Sequence, residues 1–250
     1  MNIKILLEDN NILNEHGLSI FIQYKDLNIL FDTAQSDLFI KNAKKLDIDL
    51  SKTDYIVLSH GHYDHGNGLK FLNIEKKPLI CHPDVFLKRF KENNKYIGLN
   101  QNKKELSSKF KLILSKKPYF INKDICFLGQ INSKKTKYRL KNGEIDYIKD
   151  DTALVINTKK GLVIITGCSH SGIKNIIKYA KKVMKNKKIY AIIGGFHLKK
   201  VNQEVKNLIN EFKSIDKIYT GHCTKKEVIN YFKSKNLNIY ELKSLLSINL

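Results

Sequence analysis

Twice along this chain, two alternating apolar segments joined by a tight turn give way to strand–loop–helix units. Few folds accommodate that repetition. The first pass opens with an apolar strand over 3–7. A second strand over 18–24 alternates into a Lys25-Asp26 turn and returns over 28–31. Ser36 then precedes a helical pattern carrying Leu38, Phe39, Ala43 and Leu46, and residues 55–59 form a strand that runs into a histidine-rich loop. Residues 78–82 read as another strand, and Pro83-Asp84 as the start of a helix with Val85, Phe86 and Phe90 on one side.

The second pass begins at 153. Strands over 153–158 and 162–166 flank a turn at 159–161. A helix follows with Ile173, Ile176, Ile177, Ala180 and Val183 at helical spacing. Strand 189–193, helix 201–212 and strand 217–220 come next, and Thr224-Lys-Lys-Glu227 has the form of a capping box opening a last helix. Residues 91–150 carry only short apolar pieces at 111–115 and 125–128. With no low-complexity linker, the chain reads as one α/β domain over 1–250, built of two similar halves that meet near 140–150.

Composition narrows the class. At 250 residues with 42% hydrophobic and 28% charged, the chain can bury a sizeable core and is not of disordered type. No apolar run reaches the ~18–20 residues of a membrane span, and the acidic turn at Glu8-Asp9 is wrong for a signal peptide. A soluble, cytoplasmic protein is expected. The net charge of +21 raises nucleic acid as a partner, but only Arg89 and Arg139 among the 45 basic residues are arginines. Pairs such as Lys44-Lys45, Lys116-Lys117 and Lys181-Lys182 are scattered, so an anionic small molecule explains the charge better than nucleic acid does. The four cysteines, Cys81, Cys126, Cys168 and Cys223, form no C-x-x-C pair. Reduced thiols are expected, and Cys168 and Cys223 each lie within two residues of a histidine.

His60, His62, His65, His82, His170 and His222 all fall just after predicted strands. The densest run is Ser59-His60-Gly61-His62-Tyr63-Asp64-His65-Gly66-Asn67-Gly68. Three imidazoles and a carboxylate this close bury poorly unless something binds them. A divalent metal does so, taking neutral imidazole nitrogen and carboxylate oxygen. The glycines are expected to let the backbone turn, aiming His60 and His62 at one ion and Asp64 and His65 at a neighbour.

H-x-H-x-D-H over 60–65, with Leu30-Phe31-Asp32-Thr33 upstream and later strand-end histidines, resembles the metallo-β-lactamase fold superfamily. The resemblance implies a four-layer αββα sandwich of two similar halves, with metals at one edge of the sheets. It implies that Asp32 orients the metal loop, that His170 completes the first site with His60 and His62, and that His222 completes the second with Asp64 and His65. One or two divalent ions are expected, zinc first and manganese, iron or magnesium as alternatives. Cys168 stands where many members carry a bridging aspartate, which leaves open a thiolate ligand or a buried cysteine. The Cys-His-Pro context of His82 suits a strand end better than a ligand.

The motifs Gly167-Cys-Ser-His170-Ser-Gly-Ile, Gly194-Gly-Phe-His197-Leu and Thr220-Gly-His222-Cys-Thr, with Glu8-Asp9-Asn10, resemble the subgroup called dihydropteroate-synthase-like. That resemblance implies a phosphorylated or pyrophosphorylated small-molecule substrate. The implied reaction joins a dihydropterin methyl pyrophosphate to an aminobenzene ribofuranosyl phosphate in methanopterin biosynthesis. Hydrolysis of a phosphoester, thioester or amide is the alternative. Asp64 would accept a proton, and His197 would face the substrate as acid or phosphate donor. No membrane partner is expected, and homo-oligomerisation is left open.

Overall fold

The structure is a computed structural model that describes residues 1–10, 15–132, 138–186 and 188–250. In chain order its strands are β1 (Asn2–Asn10), β2 (Glu15–Tyr24), β3 (Leu27–Phe31), β4 (Tyr55–Val57), β5 (Pro78–Cys81), β6 (Arg89–Lys91), β7 (Lys111–Leu114), β8 (Tyr119–Phe120) and β9 (Ile125–Phe127). They continue as β10 (Tyr138–Leu140), β11 (Ile145–Asp146), β12 (Ala153–Thr158), β13 (Gly161–Thr166), β14 (Ile189–Gly195), β15 (Lys217–Gly221), β16 (Ile239–Glu241) and β17 (Ser247–Asn249). The helices are α1 (Leu38–Lys45), α2 (Tyr63–Gly66), α3 (Lys103–Lys109), α4 (Ile173–Val183), α5 (Gln203–Phe212) and α6 (Lys226–Ser234).

Two compact units divide the chain, the first comprising Met1–Lys116, Thr136–Asp150 and Lys243–Leu250, the second Lys117–Lys135 and Asp151–Leu242. Unit 1 holds a seven-stranded sheet of order β17-β1-β2-β3-β4-β5-β7 and a small antiparallel sheet β11-β10-β6. The β2–β3 hairpin pairs Tyr24 with Leu27 across the expected Lys25-Asp26 turn, and β3, β4, β5 and β7 then run parallel. Unit 2 repeats the plan in the order β16-β15-β14-β13-β12-β9-β8, with a β12–β13 hairpin followed by parallel β14, β15 and β16. The fold is therefore mixed α/β with two sheet-containing halves.

Each core forms where helical and strand periodicities meet. In unit 1, Phe39 and Ala43 of α1 pack on Leu30, Ile56 and Leu79. In unit 2, Ile176, Ile177 and Ala180 of α4, Leu208 and Phe212 of α5 and Val228 and Phe232 of α6 pack on Val155, Ile164, Ile192 and Ile218. Each fully buried aliphatic or aromatic side chain contributes ~1.5–3 kcal/mol relative to exposure. All six residues of β13 and all seven of β14 are buried, which explains their unbroken apolar run.

Two local expectations are corrected and one element is added. The helix expected from Pro83 is a single 3₁₀ turn, Pro83–Phe86, after which the chain enters β6. The reason is Arg89, which is completely buried and pairs in the small sheet instead of continuing a helical face. Thr224 does not cap α6. Its hydroxyl points inward, accepting from Phe196 N at 2.9 Å and lying 2.9 Å from Thr220 Oγ1. The short helix α3 is an addition, closed by a capping box between Asn102 and Glu105.

Candidate metal centre

The parallel strands of both units end in loops that carry the polar residues, as expected for sites outside the carboxyl ends of such sheets. In unit 1, β3 delivers Asp32, whose φ of 57° is left-handed. Its buried carboxylate accepts from Ser59 N at 2.8 Å, Ser59 Oγ at 2.7 Å and His65 Nδ1 at 2.7 Å. Asp32 thus fixes the orientation of Ser59 and His65 in the loop. With Nδ1–H bound to Asp32, His65 keeps Nε2 as its lone-pair nitrogen, 3.7 Å from Asp64 Oδ2. His60 places Nδ1 2.8 Å from Ser59 Oγ and Nε2 2.9 Å from His62 Nδ1. The His60 ring centroid lies 4.5 Å from that of His62 and 4.2 Å from that of His65. Unit 1 therefore brings together its four expected ligands, His60, His62, Asp64 and His65.

Burial pushes the His62 imidazole down to about 3, against the pull of Asp64 and with the help of Arg89, so it is neutral at pH 7. Neutral nitrogen is the form a metal takes. Gly61 has a different role from the one expected. Its backbone is not left-handed, and the residue is glycine because a Cβ would stand 2.1 Å from Val85 O. On the other side, Gly61 N donates to Asp150 Oδ2 at 2.7 Å.

Unit 2 brings its histidines together around Cys168. The ligand atoms of Cys168, His170 and His197 lie within 4.8 Å of one another, as do those of Cys168, His222 and Cys223. Cys168 is thus within ligand reach of every strand-end histidine of its unit. The His170 and His197 ring centroids are 4.5 Å apart. His197 N donates to Cys223 Sγ at 3.1 Å, and Cys223 Sγ donates to Cys168 O at 3.4 Å. Burial works to raise the Cys223 thiol, but its contacts with Cys168 and His197 outweigh that and hold it well below the usual thiol range.

The paired glycines before His197 serve close packing. A Cβ on Gly194 would meet Thr166 O at 2.1 Å, and one on Gly195 would meet Cys223 Sγ at 2.6 Å. Ser169, His197 and His222 share the left-handed backbone of Asp32, with φ of 58°, 51° and 50°. Such strain in non-glycine residues costs of order 1 kcal/mol each and clusters at functional sites. His82 is buried and caps the Pro83 turn, its Nδ1 accepting from Asp84 N at 3.1 Å.

Two groups escape sequence reasoning. His16 bridges two carboxylates, with Nδ1 2.8 Å from Asp9 Oδ1 and Nε2 3.0 Å from Asp64 Oδ2. Burial opposes its charge, but Asp64 and Asp9 prevail and raise it to about 10. Arg89 is the other, held by Asp146 and Asp150. Its rarity in a lysine-rich chain was the available signal.

The donor set fits a divalent cation. It combines buried imidazoles in mutual contact, that of His62 held neutral by burial, carboxylates beside them and an outer carboxylate bound to His65 Nδ1. Sequence comparison agrees. The model of the metallo-beta-lactamase superfamily matches residues 14–181. An uncharacterized protein of Methanocaldococcus jannaschii is 35% identical over 255 residues, covering 95% of this chain and 96% of the relative. The same organism's 7,8-dihydropterin-6-methyl-4-(beta-D-ribofuranosyl)-aminobenzene-5'-phosphate synthase is 35% identical over 278 residues, covering 97% of this chain and 92% of the relative. A solved metal-dependent hydrolase of the beta-lactamase superfamily superposes with a TM-score of 0.87 at 31% identity, covering 100% of this chain and 99% of that one. By fold, motif and sequence, the chain belongs to the metallo-beta-lactamase superfamily.

Proposed function

We propose that this protein is a metal-dependent synthase that joins 6-hydroxymethyl-7,8-dihydropterin pyrophosphate to 4-(β-D-ribofuranosyl)aminobenzene 5′-phosphate, releasing pyrophosphate. The observation that carries the metal requirement is the oriented, buried donor set of unit 1. The choice of reaction is supported by the synthase-named relative, 35% identical over nearly the full length of both chains. In this reading residues 1–250 act as one domain, located in the cytoplasm. No helix among the described residues is long and apolar enough to cross a membrane.

His60, His62 and His170 would hold one divalent ion and Asp64, His65 and His222 a second, with zinc the first expectation. Bound ions supply Lewis acidity toward the pyrophosphate oxygens. Asp64 receives the proton of the attacking aniline nitrogen. His197 donates to a phosphate oxygen, and surface lysines hold the two anionic substrates. Replacing His197 with alanine is expected to lower kcat/KM by ~10²–10⁴ with metal content unchanged. A fall in bound metal would make His197 a ligand, as its closeness to Cys168 and His170 allows.

A second reading, hydrolysis of a phosphoester, thioester or amide, is favoured by the solved hydrolase at 31% identity. One experiment separates the two. The zinc- or manganese-loaded protein is incubated with the pterin pyrophosphate, with and without the aminobenzene phosphate, and products are identified by mass spectrometry. A condensation product that requires both substrates supports the synthase. Pyrophosphate release at the same rate without the aniline rejects it.

A further inference from the structure

Arg89 is the largest completely buried side chain among the described residues, in a protein whose other cations are almost all surface lysines. A buried guanidinium is costly unless every arm is engaged. Here each arm is. Nε donates to Asp146 Oδ2 at 2.7 Å, Nη1 to Asp150 Oδ2 at 2.7 Å, and Nη2 to Asp150 Oδ1 at 2.5 Å and Asp84 O at 3.1 Å. The same Asp150 Oδ2 accepts the peptide N–H of Gly61 at 2.7 Å. Gly61 is the residue between His60 and His62, and Val85 packs so close to it that an added Cβ would stand 2.1 Å from Val85 O.

The backbone of Arg89 serves the same loop. Ile97 N donates to Arg89 O at 2.9 Å, and Tyr63 N, just past His62, donates to Ile97 O at 3.0 Å. His62 forms an isolated bridge to Gly98, and its ring meets Tyr138, from the strand paired with Arg89's own, at 5.2 Å. The small β11-β10-β6 sheet therefore backs the His60-Gly61-His62 turn, with Arg89 of its edge strand β6 joining the two through Asp150.

We propose that Arg89 is a positioning residue for the metal loop. Through Asp150 it holds the Gly61 peptide and so fixes the directions in which His60 and His62 leave the backbone. The inference rests on the metal-binding reading above. Asp146 provides the internal control, because it too pairs with Arg89, through Nε, and among the described residues its side-chain hydrogen bonds go to Arg89 and Ile148 N rather than to the loop. A merely structural role predicts that losing either carboxylate acts alike.

The test titrates the full-length, metal-free protein with cobalt(II) alone, following its visible absorption, alongside thermal melting of each metal-free variant. Asp150→Ala and Asp146→Ala should lower the melting temperature comparably. Cobalt affinity should fall ~10–100-fold in Asp150→Ala, the range seen when an outer partner of a ligand is lost. Asp146→Ala should stay near wild type. Arg89→Lys, which keeps the charge but loses the planar fork, should follow Asp150→Ala. If the alanine variants do not fold, Asp150→Asn and Asp146→Asn must show the same order. Equal cobalt affinities for the Asp146 and Asp150 variants overturn the proposal. A wild-type protein that binds no cobalt overturns the metal reading instead.

Discussion

Asp32→Asn isolates the outer carboxylate of the metal loop with little change in shape. Asp32 Oδ1 accepts from Ser59 N, while Oδ2 accepts from both Ser59 Oγ and His65 Nδ1. Keeping the backbone bond puts the amide oxygen on Ser59 N–H and the amide nitrogen where Oδ2 was. Two donors then face Ser59 Oγ and His65 Nδ1. The serine can turn its proton toward His60 Nδ1, 2.8 Å away, only if that nitrogen gives up its own proton, so the tautomer change reaches His60 as well. His65 cannot adapt without cost: Nδ1 must become the acceptor, and the proton moves to Nε2, the nitrogen beside Asp64. A protonated Nε2 is not a metal ligand.

Three hydrogen bonds to a charged acceptor, ~1.5–3 kcal/mol each, become neutral ones of ~0.5–1.5 kcal/mol, a loss of about 3–4 kcal/mol. Relief from burying one ion, a cost of several kcal/mol, offsets much of this and leaves a net loss of ~1–2 kcal/mol. At ~2–4 °C per kcal/mol for a chain of this size, the melting temperature should fall by only a few degrees. The affinity of the site using His65 should fall ~10–100-fold. Cobalt(II) titration and calorimetry of the same preparation measure both. Unchanged cobalt affinity refutes the tautomer reasoning, and so does a collapse of the fold.

In the metal-free protein, His62 and His16 set opposite pH limbs. The pKa of His62 is lowered from an ordinary 6.5 to about 3, so its contribution is lost as pH falls from 6.5 toward 3; that of His16 is raised to about 10, so its contribution is complete below 6.5 and lost as pH rises toward 10. Urea midpoints against pH should therefore peak near neutrality, and His16→Gln should flatten the alkaline limb; an alkaline limb unchanged in that variant refutes the assignment. Gly61→Ala forces a Cβ to 2.1 Å from Val85 O and should cost ~3 kcal/mol or more, with metal binding lost alongside. A wild-type melting curve for that variant would show that the loop is not clamped there.

Legibility in the sequence followed the range of the interaction. Hairpins and amphipathic helices declare themselves locally: 18–31, 153–166 and 173–183 fold as their periodicity predicts. The clustering of the H-x-H-x-D-H side chains was readable because they are neighbours in the chain. Arg89 was not, since its meaning depends on Asp146 and Asp150, 57 and 61 residues away. His16 was missed for the same reason: it lies in β2, while its partner Asp64 lies far along the chain in α2. The capping box at Thr224 misled because a hydroxyl has more than one suitor. Phe196 N offers Thr224 a buried bond that helix capping cannot match.

The left-handed backbone at Asp32, Ser169, His197 and His222 has a consequence for engineering. Glycine would adopt each of these conformations without the Cβ penalty. A library selected for heat resistance alone should therefore drift toward glycine at His197 and His222, erasing those imidazoles, whereas the buried hydrogen bonds of Asp32 and Ser169 outweigh the strain at their positions. Directed evolution of this chain needs a functional screen running beside the thermal one, because at these two positions durability and the proposed chemistry pull the backbone in opposite directions.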